Sequence, residues 1–142
     1  MDNPVRHVAK AEISYIAGWA IPRYLARHPR ITIDRMLPLL LEAEADKDNF
    51  QLVRTNNACG LFTVEQSPWE PLKTVCDIFV VGREYCDSAA FEVCRIYANG
   101  LEWARTIGAI EFRYGTDGLT DLSSIAQRIG YDIVATNYVK RL

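Results

Sequence analysis

The chain has 142 residues, the size of about one compact domain with a single core. Apolar residues make up 49% and charged residues 24%, a globular balance that excludes disordered, collagen-like and low-complexity chains. With 16 basic and 18 acidic side chains the net charge is -2, so no overall field draws the chain to nucleic acid or to an anionic membrane.

The start, Met1 to His7, carries no apolar signal segment, and the longest apolar run, Met36 to Leu41, is far too short to cross a bilayer. Both point to a soluble, intracellular chain. Pro4 to Ala9 reads as a short first strand. Ile13, Ile16, Ala17, Ala20 and Ile21 then recur at helical spacing, which predicts a first helix from about Ala11 that kinks or restarts at Pro22 and ends before Pro29. A second helix starts near Thr32 to Asp34, carries Met36, Leu37, Leu40 and Leu41 inward, and is ended by the acidic stretch 42 to 48.

From Phe50 the period becomes two. Phe50 to Arg54, a turn at Asn56-Asn57, and Cys59 to Glu65 predict an antiparallel hairpin. After the loop Ser67 to Pro71, which contains Trp69, the nearly continuous apolar run Leu72 to Val81 reads as a central strand covered on both faces. Asp87 or Ser88 caps a long helix whose inward stripe is Phe91, Cys94, Tyr97, Ala98, Leu101, Ala104 and Ile107, ended by Gly108. Ile110, Phe112 and Tyr114 mark a further strand, a short helix spans about Thr120 to Ile129, and Tyr131 to Leu142 closes the chain as one strand or a strand pair.

Cys59, Cys76, Cys86 and Cys94 form no Cys-x-x-Cys pair, and His7 and His28 are the only histidines, so the spacing argues against a structural zinc site. Cys59, Cys76 and Cys94 fall in apolar segments and read as reduced core residues.

The order β-α-α-β-β-β-α-β-α-β resembles the GNAT (Gcn5-related N-acetyltransferase) superfamily over nearly the whole chain. Ile125-Ala-Gln-Arg-Ile-Gly-Tyr131 is similar to the family's Leu-Tyr-x-Lys-x-Gly-Phe segment, and Asp77-Ile-Phe-Val-Val-Gly-Arg-Glu-Tyr85 resembles its fourth-strand signature. The resemblance implies one α/β (α+β) domain over residues 1–142, with a mixed, mainly antiparallel sheet flanked by about four helices. It implies acetyl-CoA as cofactor, held by Val80 and Val81 at the strand end and by Cys86, Asp87, Ser88, Ala89 and Ala90 in the pyrophosphate loop. That loop departs from the family's (Gln/Arg)-x-x-Gly-x-(Gly/Ala): Cys86, Ala89 and Phe91 stand at its three defining positions, and Asp87 adds negative charge where helix starts otherwise attract anions. The family's general-acid tyrosine falls on Ala126 and its helix-four asparagine on Leu119.

Asp77, inside Val75 to Val81, is the candidate general base, a carboxylate desolvated by its strand, with a structural hydrogen-bond network as the competing reading. Glu65 on the neighbouring strand is a second candidate, read alternatively as a solvated strand-end glutamate. Tyr85, Tyr114 and Tyr138 are candidate proton donors or packing residues. Cys86, just before a helix start, reads as a nucleophile or as an inert thiol. Arg23, Arg27, His28, Arg30 and Arg35, with Tyr24 among them, form a basic group that reads as a site for phosphate or an acidic partner, or as a solvated helix face near the acidic run 42 to 48; that run and the overall charge argue against nucleic acid. Trp19, Trp69 and Trp103 read as core or rim aromatics, with Trp69 alternatively an exposed anchor for a partner. Two functions follow. One is a GNAT-like protein without efficient acetyl transfer, acting as an accessory or structural subunit in a homo-oligomer or with a protein partner; the resemblance extends to bacteriophage-encoded proteins, including virion proteins. The other is an active acyl-CoA-dependent N-acyltransferase with Asp77 as base, directly or through water. Neither requires a metal.

Overall fold

The computed structural model of the chain describes residues 2–27, 32–66, 68, 69, 71–114, 130 and 140. The helical spacing of Ile13, Ile16, Ala17, Ala20 and Ile21 is realised in α1 (Ile13–Arg27), where all five are buried, after a 3-10 turn at Lys10–Glu12. Pro22 stays inside α1; the helix neither stops nor restarts there, although proline withdraws one backbone donor. Ahead of α1 the first strand, β1, is only Arg6–His7. It is held from outside the ladder as well, because Asn3 Oδ1 accepts the Asn56 backbone N–H at 2.9 Å.

α2 (Ile33–Ala45) buries Met36, Leu40 and Ala43. Leu37 and Leu41 were expected inward and are exposed instead. Apolar residues stand on every side of this helix, so periodicity alone does not choose the face; contact with the sheet does. Thr32 caps it through its carbonyl, which accepts Arg35 N–H at 3.1 Å and Met36 N–H at 3.2 Å, and makes no side-chain cap bond.

The hairpin forms as its turn residues require: β2 (Phe50–Arg54) pairs antiparallel with β3 (Ala58–Gln66) around Asn56 and Asn57. β3 pairs antiparallel with β4 (Lys73–Gly82), and β4 pairs in parallel with the short β5 (Glu111–Arg113). The sheet order is β1-β2-β3-β4-β5, mixed and mainly antiparallel. The parallel step is bridged by α3 (Ala89–Thr106), which Gly108 ends with a φ of 76°.

Each face of the sheet carries its own core. Leu52, Cys59, Leu61 and Phe79 pack under α1 and α2, while Val53, Phe62 and Val75 pack under α3. α3 meets the sheet along Glu92, Ile96, Gly100 and Ala104, a row spaced by four. Phe91 and Cys94, expected on this inward stripe, are exposed, as is Ala98, whereas Tyr97, Leu101 and Ile107 are half-buried and Ala104 is buried. The expected stripe is thus rotated. Gly100 explains why: a Cβ there would lie 2.6 Å from Phe62 Cζ, so the glycine lets α3 settle on the buried Phe62 ring. Of the cysteines read as core, Cys59 is buried, Cys76 is half-buried and Cys94 is exposed. The predicted short helix from Thr120 to Ile129 and the closing strand from Tyr131 lie outside the described residues, as do Leu119, Ala126 and Tyr138.

Candidate functional site

The pairing of β3 with β4 is regular from Gln66–Lys73 to Phe62–Asp77, then resumes at Leu61–Phe79, so Ile78 is an extra residue on β4. This β-bulge resets the alternation. Val75 and Asp77 face α3, Ile78 and Phe79 both pack on the α1/α2 side, and Val80 returns to the α3 side. Pairing of β4 with β5 covers only Thr74, Val75 and Cys76. Past the Cys76–Arg113 step, among the described residues, β4 runs on to Gly82 with no strand hydrogen-bonded to that edge. The bulge and the end of the parallel pairing coincide at Asp77, and there, among the described residues, the sheet opens.

Phenols gather around this opening. Tyr97 of α3 donates its hydroxyl to Asp77 Oδ2 at 3.2 Å, and the Tyr114 ring, just past β5, lies 5.1 Å from that of Tyr97. From the other face Tyr24 of α1 packs on Phe79, with ring centroids 5.6 Å apart. Burial raises the pKa of both Tyr24 and Tyr114, and the Asp77 charge raises it further, so both phenols stay protonated. A carboxylate able to accept a proton and phenols able to give one are thus arranged around the same opening. Of the sequence candidates, Asp77 and Tyr114 come together here, while Tyr24 and Tyr97 were read only as part of the basic group and of the helix stripe. Their spacing along α1 and α3 gave no signal of a shared neighbour in β4.

Glu65 is not brought to Asp77. It pairs with Thr74, three positions down the ladder, and lines a cleft of about 240 Å³ with Thr74, Glu111 and Arg113. Burial, with the charge of Glu65 and its hydrogen bond, pushes the Cys76 thiol up to about 11.

At the far end of β4 the chain passes through Arg83 to Ser88 into α3. Tyr85 takes a left-handed φ of 54° and is exposed, so it stands away from the phenol group at Asp77. Cys86 Sγ lies 3.4 Å from Ser88 Oγ, a hydroxyl rather than a base, so the nucleophile reading gains no partner. Ser88 is the N-cap of α3, yet its hydroxyl turns inward to donate to Glu92 Oε2 at 2.6 Å instead of capping the helix. Glu92, 2% exposed, also accepts from Asn3 Nδ2 at 2.7 Å, Asn57 N at 3.1 Å and Asn57 Nδ2 at 3.1 Å. Burial alone would raise its pKa; the hydrogen bonds from Ser88, Asn3, Thr55 and Asn57 outweigh burial and bring it down to about 2. Sequence reasoning missed Glu92 because a glutamate in the first helical turn ordinarily faces water. Asp87 and Ala90 are exposed and Ala89 is buried against Gly82.

On the α1 side of the same exit, Arg83 lies over Trp19, 4.7 Å from the ring centroid, and donates to Tyr15 Oη at 2.6 Å. Arg23 donates to the Gly82 carbonyl at 3.0 Å and pairs with Glu84 at 3.2 Å. Of the remaining basic group, Arg35 is exposed, and His28 and Arg30 lie outside the described residues. Trp69 is exposed, and Trp19 and Trp103 are half-buried. Among the described residues no group of three or more His, Cys, Asp or Glu could hold a metal, and no helix is long and apolar enough to cross a membrane.

No protein-family model matches the sequence, and no curated protein matches it. Solved structures do. A GNAT family acetyltransferase from Staphylococcus aureus subsp. aureus USA300_TCH1516 superposes with a TM-score of 0.69 at 9% identity, covering 100% of both chains. The chain has the GNAT fold. The ribosomal-protein-alanine N-acetyltransferase from Brucella melitensis biovar Abortus 2308 gives a TM-score of 0.66 at 11% identity over 100% of both chains. The aminoglycoside N-acetyltransferase AAC(6')-Iy, solved in complex with CoA, gives 0.70 at 12% identity over 99% of this chain and 95% of that one. For a GNAT fold, the residues of the β4–β5 opening fit the extended arm of a coenzyme A thioester, because among the described residues no strand is hydrogen-bonded to that edge of β4. Those at the start of α3 do not fit its pyrophosphate: the exposed Asp87 is acidic, and the exposed Phe91 puts a side chain where a backbone approach needs none.

Proposed function

We propose that this GNAT-fold chain transfers an acyl group from a coenzyme A thioester to an amine, with Asp77 accepting the amine proton. One observation carries the reading: Asp77, bonded to Tyr97, stands at the bulge where β4 parts from β5. The thioester supplies an activated carbonyl carbon. The backbone edge of β4 beyond Cys76 orients it, with N–H groups available to polarise its oxygen. Asp77, directly or through a water, takes the proton released as the amine nitrogen bonds to carbon, and Tyr97 holds the carboxylate in place. When the carbon–sulfur bond breaks, Tyr24 or Tyr114, both kept protonated, returns a proton to sulfur.

The test is steady-state kinetics with acetyl-CoA and a panel of amines. Asp77→Asn is expected to lower kcat by about 100-fold or more, the scale of lost general-base catalysis, with KM for acetyl-CoA changed little. Unchanged kcat removes Asp77 from the mechanism.

A second reading, an accessory or structural protein without efficient transfer, is favoured by the start of α3, where the exposed Asp87 opposes a pyrophosphate. It expects no acetyl-CoA binding in calorimetry, and a stable oligomer or partner complex. A virion role has the resemblance to phage-encoded proteins as its support.

A further inference from the structure

We propose that the cleft between α1 and the segment leaving β4 is an anion site, built from Arg83 and Arg23, for the phosphate groups of a nucleotide-bearing thioester. The inference rests on the acyl-CoA reading above and gives the phosphates a place that the start of α3 does not. The cleft holds about 530 Å³ and is lined by Trp19, Pro22, Arg23, Ala26, Arg83 and Glu84.

Arg83 is the centre of the argument. Its guanidinium carbon lies over two aromatic rings, with centroids 4.7 Å away at Trp19 and 5.6 Å away at Tyr15. Cation–π contact of this kind holds the guanidinium in place without using its N–H donors, which can still meet an anion. One edge donor goes to Tyr15 Oη. Among the described residues no carboxylate forms a salt bridge with Arg83, so a half-buried, immobilised cation stands without a counter-ion. Arg23 has one, Glu84, but that side chain is 59% exposed, and such a pair is weak enough for a bound anion to displace.

Position supports the same ligand. The edge of β4 that is open past Cys76 ends at Gly82, whose carbonyl is bound by Arg23, and Arg83 is the next residue. At this exit the α3 side presents the exposed Asp87, and the cleft on the α1 side holds two guanidinium groups against one carboxylate, Glu84. Charge therefore directs phosphates toward α1, away from the helix start.

The experiment is calorimetry of the full chain at two salt concentrations with three probes: acetyl-CoA, acetyl-pantetheine, which lacks the phosphates, and inorganic pyrophosphate. Arg83→Gln is expected to weaken acetyl-CoA at least tenfold, to flatten its salt dependence and to leave acetyl-pantetheine unchanged. Arg23→Gln, at a partly exposed position, is expected to weaken acetyl-CoA several-fold and keeps the test decisive if Arg83→Gln lowers stability. Equal affinity of the wild type and both variants for acetyl-CoA overturns the site and leaves the acyl-transfer reading standing. Pyrophosphate bound through Arg83, with no binding of acetyl-CoA or acetyl-pantetheine, overturns acyl transfer and, with it, the thioester as the ligand of this site. Failure of every probe to bind overturns both.

Discussion

Replacing Glu92 by glutamine removes a charge and turns an acceptor into a donor at the most hydrogen-bonded carboxylate described. Both oxygens accept: Oε1 from Asn3 and the Asn57 backbone, Oε2 from Ser88 and the Asn57 side chain. An amide nitrogen must therefore face one of these donor pairs. The fall in pKa from 4.5 to about 2 corresponds to about 3 kcal/mol, at about 1.4 kcal/mol per unit. Because the folded pKa lies below the unfolded one, this stability is present above about pH 5 and is lost as pH falls from the unfolded value toward about 2. Thermal unfolding followed by circular dichroism from pH 8 to pH 2 is the assay. At pH 7, Glu92→Gln is expected to melt about 10 °C below the wild type, with the gap closing toward pH 2. A gap that is absent at pH 7, or constant with pH, would refute the reasoning, since either result means that the carboxylate charge is not what the network stabilises.

Gly100→Ala gains about 1 kcal/mol of helix propensity but drives a methyl into the Phe62 ring, and a net loss of stability in urea unfolding is expected from overpacking of about 1–3 kcal/mol. Asp77→Asn removes the charge that helps hold the Tyr24 and Tyr114 phenols protonated, so spectrophotometric titration is expected to show phenols ionising at lower pH than in the wild type. With a thiol reagent at pH 8, exposed Cys94 is expected to react at once, and Cys59, buried and pushed up to about 12, only after unfolding; prompt modification of Cys59 would contradict its burial.

How far the sequence specifies this molecule differs between elements. The hairpin was legible because Asn56 and Asn57 interrupt period-two segments, and α1 because its five buried residues keep one helical stripe. α3 was legible as a helix but not in rotation. The row that meets the sheet contains Glu92 and Gly100, a carboxylate saved by its partners and a glycine chosen for closeness, whereas an apolar count favours Phe91 and Cys94, which face outward. Asp77 stood out as a carboxylate in an apolar strand. Its phenols did not, since Tyr24, Tyr97 and Tyr114 meet only when three elements come together.

The extra residue at Ile78 separates two properties of β4 that usually travel together. A bulge whose two residues share a face can be removed without reversing any side chain, because Asp77 and Phe79 already lie on opposite faces. Shortening the strand by that one residue would give up the packing of Ile78 itself, keep the other hydrophobic contacts on their own sides and straighten the backbone edge. Ile78 is thus a position at which the shape of the opening can be edited while the pattern that folds the chain is left intact.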